Sequence, residues 1–62
     1  MVNEYYVIAD LEYPNKYLGD GAQLVDFNLA KEFFSKIDAG VFLKDDALPG
    51  HYTIITVYRV TE

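Results

Sequence analysis

The chain has no cysteine, a single histidine and two prolines. Without cysteine there is no disulfide and no thiolate metal site. With only His51, a multi-histidine metal site is excluded as well. No apolar run approaches the roughly 20 residues of a membrane-spanning helix. The first residues, Met1-Val2-Asn3-Glu4, lack the cationic-then-apolar pattern of a secretory signal, so a cytoplasmic protein is expected. Cations are scarce: five Lys and Arg stand against ten Asp and Glu, a net charge of −5. Direct nucleic-acid binding needs phosphates neutralised by basic side chains, so that function is not expected.

What is present is apolar and aromatic. Hydrophobic residues make up 52% of 62 positions, too many for a disordered acidic tail. The length fits one domain, 1–62. A chain of this size buries only about 60% of the surface it exposes when unfolded, so its stability is small. Disulfides and thiolate metal sites being excluded, association is the remaining supplement, and a homodimer is expected.

Residues 4–13 alternate, with Tyr5, Val7, Ala9, Leu11 and Tyr13 on one face and Glu4, Tyr6, Ile8, Asp10 and Glu12 on the other. This predicts a strand with a core face and an acid-rimmed face. Pro14-Asn15 follows as a turn pair, asparagine tolerating the left-handed region. Residues 17–25 read either as a returning strand weakened by Gly19 and Gly21, or as a loop to Gly21 and a short strand over 22–25. A helix is predicted over 26–39, with Asp26 as N-cap and Gly40 at the left-handed C′ position. Phe27, Ala30, Phe34 and Ile37 set its stripe. Glu32 and Lys36 form an i,i+4 pair on it. Asp38 then sits at the negative end of the helix dipole, with no structural reason to be there. Residues 41–43 are a short strand or a packing segment, and 44–50 a loop. Residues 51–61 form a last strand, β-branched on both faces, hence central and paired with the first. The fold class is α+β: a two-layer β-β-α-β domain, one helix on a small, mainly antiparallel sheet.

Enzyme chemistry has little to work with. Ser35 is the single serine; it has no nucleophile-elbow sequence around it and lies far in sequence from His51. Gly19-Asp20-Gly21 lacks the lysine and hydroxyl of a phosphate loop, and Asp45-Asp46 lacks the alternating acids and distal glutamate of a calcium loop. No catalytic residue, cofactor or metal is expected.

Surface character carries the functional reading. Asp10 and Glu12 lie two residues apart on one strand face, roughly 6.6 Å, comparable to neighbouring phosphates on a nucleic-acid strand. Glu4, Asp10 and Glu12 are therefore candidate charge mimics facing a basic groove. Tyr6 and Ile8, between them, are candidate apolar anchors. Six tyrosines and four phenylalanines exceed what a small core holds: Phe27, Phe33, Phe34 and Phe42 can line it, and Tyr6 and Tyr17 are left for an interface, with Tyr17 and Phe27 as secondary partner-binding candidates near a pocket. The bland explanation of the acidity is solubility.

The acidity, the β-β-α-β order and the Asp26-Phe27 pair opening an aromatic-rich helix, Phe27 to Phe34, resemble small acidic host-enzyme inhibitors of bacteriophages. Among these the chain most resembles the dimeric uracil-DNA glycosylase inhibitors of small Bacillus phages. The resemblance implies a homodimer, acting in the host cytoplasm, that imitates DNA and holds an apolar side chain of the glycosylase in a hydrophobic pocket. The expected function is thus a non-enzymatic acidic inhibitor of a host DNA-processing protein, foremost a uracil-DNA glycosylase. The competing expectations are an anti-CRISPR-type inhibitor, and a structural or regulatory interaction module without DNA mimicry.

Overall fold

The computed structural model describes residues 1–46 and 50–61. The order is β1 (Val2–Asp10), β2 (Tyr17–Leu18), β3 (Leu24–Val25), a single 3-10 turn (Phe27–Leu29), α1 (Lys36–Asp45) and β4 (Tyr52–Val60). The sheet runs β3-β2-β1-β4 and every pairing is antiparallel. One helix packs on this small sheet, so the domain is α+β. Among the described residues no helix is long and apolar enough to cross a membrane.

The first and last strands pair along their whole length, from Val2↔Val60 to Asp10↔Tyr52. The sheet order corrects one expectation: β1 is central and β4 lies at the edge. The β-branched residues on both faces of β4 reflect strand propensity rather than cover on both sides. Asn15 takes the left-handed φ of 66° expected of it. Both readings of residues 17–25 contribute, because two-residue strands flank the Gly19–Gln23 turn.

The helix lies elsewhere than predicted. Residues 26–35 hold only the 3-10 turn and then a non-helical stretch, and of the predicted helix only 36–39 are helical. Asp26 makes no side-chain cap; it accepts instead from Lys16 Nζ at 2.8 Å. Phe33 is pulled out of any helix by the sheet, exchanging backbone hydrogen bonds with Tyr6, both 2.8 Å. The expected Glu32–Lys36 pair is absent from the described ion pairs, and Glu32 binds Arg59 instead. The helix begins one residue beyond Ser35, whose Oγ accepts from the Asp38 amide at 3.1 Å. Ser35 is thus the N-cap, and Asp38 sits in the first turn, where the dipole favours an acid. Residues 41–45, expected as a strand or packing segment and then a loop, are helical. Residues 47–49 of the expected loop lie outside the described residues.

Gly40 does not end the helix; it lies within it, and no glycine among the described residues has positive φ. A Cβ built there meets nothing within 4 Å. Gly40→Ala should therefore stabilise the domain by about 1 kcal/mol. Thermal unfolding should show a midpoint rise of about 4–8 °C. A fall would place Gly40 back at a left-handed helix end.

The core forms between α1 and one sheet face. Ile8, Leu18, Phe33, Ala39 and Phe42 are buried together, with Tyr6, Leu43, Tyr52 and Ile54 against them. The helix therefore covers the face of β1 that carries Tyr6 and Ile8. On the opposite face Tyr5, Val7 and Ala9 are also buried. Arg59 stacks 4.6 Å over the Tyr5 ring there and is held by Glu32 at 2.6 Å.

Candidate functional site

The acid-rimmed face of β1 lacks one of its expected members at the surface. Ile8 is 0% exposed and sits in the core, so it cannot anchor a partner. The cause is position: a central strand beneath a helix buries both of its faces, and alternation alone does not tell which face meets the helix. Tyr6, on the same face, is half-buried; its backbone is bridged to Phe33 and its hydroxyl donates to Glu4 at 3.0 Å. Asp10 ends the strand. Its Oδ1 accepts from the amides of Glu12 and Tyr13 at 2.7 and 2.8 Å, closing the turn that follows. Glu12 lies beyond β1, with its carboxylate 3.8 Å from His51. Glu4, Asp10 and Glu12 are thus spread from near the start of β1, through its end, into the turn beyond it.

Tyr17 and Phe27 are brought together, their ring centroids 5.2 Å apart in an edge-on contact. Tyr17 is half-buried and Phe27 exposed, so the pair presents a small aromatic surface beside the β2–β3 hairpin.

The hydrogen bond from Tyr6 to Glu4 sets a testable pH response. It holds the Tyr6 phenol above its ordinary range, aided by partial burial and the nearby carboxylate. A raised folded-state pKa means the contribution is intact below about pH 10, the unfolded tyrosine value, and is lost as pH rises through the folded value. Alkaline ultraviolet titration should show a late tyrosine step above the ordinary range, and Tyr6→Phe should remove it. If Tyr6→Phe leaves the late step in place, the bond is not formed in solution. The Arg59 guanidinium is likewise pushed above its ordinary range, chiefly by its hydrogen bond to Glu32.

A different surface stands out. Phe34, Ile37 and Val41 are 79%, 78% and 52% exposed. Ile37 and Val41 stand at i, i+4 on the outer side of α1, and Phe34 lies just before the Ser35 cap, outside the helix. The inner side is occupied by Ala39 and Phe42. Asp38, Val41 and Asp45 recur at i, i+3 and i+7, which places two acids along one flank, roughly 10 Å apart. Lys44 lies on the same outer side. Among the described residues, Lys16, Lys31 and Arg59 are matched to Asp26, Asp20 and Glu32, while Asp38, Asp45 and Asp46 have no cation within ion-pair distance. Asp45 and Asp46 also stand at the negative end of α1, against the dipole.

Sequence reading missed this surface because it assigned Phe34 and Ile37 to the inner stripe of a helix starting at Asp26. The signal that points to it is Ser35-x-x-Asp38, a capping-box pattern that starts a helix at Lys36. Among the described residues there is no pocket, and no group of three acids or histidines close enough to share a metal ion. Compared with known protein families, curated proteins and solved structures, the chain matches none of them.

Proposed function

We propose that this chain is a non-enzymatic protein ligand that docks through the outer side of α1 onto a basic, nucleic-acid-binding protein and blocks it. The observation that carries this reading is the exposed apolar pair Ile37 and Val41 on α1, with Asp38 and Asp45 on its flank and exposed Phe34 just before the helix. A domain short of core leaves three large apolar side chains at and just before α1 in water, which is the mark of an interaction surface. A phenylalanine among them suits the aromatic anchors that dominate interfaces. The uncompensated acids, with the net charge of −5, select a positively charged partner and speed the encounter.

A basic surface that accepts acids around an apolar anchor is that of an enzyme made to grip DNA. The inhibitor role and the uracil-DNA glycosylase target rest on the resemblance in acidity and element order. The glycosylase is accordingly the first enzyme to assay. Uracil excision should fall to background near one equivalent of the protein at low salt. Half-inhibition should move at least tenfold higher between about 50 and 200 mM salt, as the charges are screened. Inhibition indifferent to salt would favour an interaction module without DNA mimicry. No inhibition at a large excess would remove the glycosylase from the reading.

A further inference from the structure

The outer edge of β4 carries an inference independent of α1. Backbone hydrogen bonds at the two ends of the β1–β4 ladder join odd residues to odd: Leu11 N–H to His51 C=O and Thr61 N–H to Met1 C=O, both 2.8 Å. In an antiparallel ladder the exchanging pairs alternate with pairs whose backbone groups point away. Odd residues of β4 are therefore spent on β1. The N–H and C=O groups of Ile54, Thr56, Tyr58 and Val60 point outward, and none has a backbone partner among the described residues. The strand has no proline or glycine, and Arg59 is its one charged residue. These are the devices that ordinarily protect an edge, and β4 has almost none of them.

We propose that this edge pairs with the same edge of a second copy, antiparallel, about a two-fold axis through Thr56. The strand covers nine residues, Tyr52–Val60, with Thr56 at its centre. A two-fold there overlays the whole strand and sets outward-facing even residues against each other, as the hydrogen-bond parity requires. Thr56 then meets its own counterpart, and Ile54 meets Tyr58 of the second copy. In the closer, non-hydrogen-bonded positions Ile55 meets Val57 of the second copy, an apolar pair, and Thr53 meets Arg59, so no like charges are opposed. Charge selects a copy of the same chain over an acid-bearing strand: none of the ten acids lies between positions 47 and 61. In a chain of net charge −5, two copies meet along β4 without acid facing acid.

The test uses the position on the axis. The wild-type chain should sediment at twice its 7.1 kDa mass. Thr56→Glu and Thr56→Lys each place like charges directly opposite one another and should weaken the dimer at least tenfold. An equimolar mixture of the two should restore it, with native mass spectrometry showing the mixed species. A synthetic chain N-methylated at Tyr58 loses one outward N–H and keeps every side chain; it should also dissociate, and it decides the matter if a Thr56 variant loses its circular dichroism spectrum. A monomeric wild type, single variants that dimerise like wild type, or a mixture no tighter than either variant alone would overturn the proposal.

Discussion

Ile8→Ala is expected to remove most of the stability of this domain. Ile8 is fully buried between β1 and α1, against Leu18, Phe33, Ala39 and Phe42. Truncating such a side chain costs about 2–5 kcal/mol, the lost transfer energy plus the cavity left behind. At roughly 0.05–0.15 kcal/mol per residue, a chain this short holds about 3–9 kcal/mol in total. The variant should therefore unfold at far lower denaturant, or fail to fold at room temperature. Equilibrium urea unfolding followed by circular dichroism reads this directly. A midpoint within experimental error of wild type would mean that Ile8 faces solvent, as the alternation in residues 4–13 first suggests, and that α1 covers another face.

The second large effect concerns the outer side of α1. Phe34→Asp with Ile37→Asp should abolish binding to the proposed basic partner while leaving the fold intact. Both side chains are more than three-quarters exposed, so their loss opens no cavity, and surface changes of this kind usually shift stability by no more than about 0.5 kcal/mol. Interface anchors, by contrast, lose about 2 kcal/mol or more each when truncated. Half-inhibition of uracil excision by the double variant should rise at least a hundredfold. The added acids make the variant more negative, so a purely electrostatic contact would tighten. Unchanged or tighter inhibition therefore excludes these apolar side chains as the docking surface. The circular dichroism spectrum and unfolding midpoint should match wild type.

The sequence carried the layer architecture, because strong signals bound both ends of it. Alternation in 4–13 and β-branching in 51–61 mark the two long strands, and Pro14-Asn15 marks the turn between β1 and β2. The helix boundary was not legible from spacing. Phe27, Ala30 and Phe34 repeat at intervals that suit a helix, yet Phe33 does more for the fold as a bridge to Tyr6 and a lid on Phe42, 5.3 Å ring to ring. Tertiary pairing overrode local period there. Two misfits pointed to the true start. Asp38 at a helix end opposes the dipole, whereas in the first turn it agrees with it. Gly40 as a terminator competes with Ser35-x-x-Asp38 as an initiator, and the cap prevails because Ala39, Phe42 and Leu43 form an apolar stripe that the core uses. Which face of β1 the helix covers depended on that boundary, so Ile8 and the acids around it were assigned to solvent together. Glu4, Asp10 and Glu12 prove individually engaged, by Tyr6, by the turn amides and by His51.

The most direct test of where this protein works is a map of its contact surface. The chain, labelled with nitrogen-15, would be titrated with unlabelled uracil-DNA glycosylase and its amide resonances followed. The shifts and broadening should concentrate on Phe34, Ile37, Asp38, Val41 and Asp45, with the core amides around Ile8 moving little. Perturbation confined to Glu4, Asp10 and Glu12, with α1 unaffected, would contradict the docking surface, and a spectrum unchanged at saturating enzyme would contradict the target.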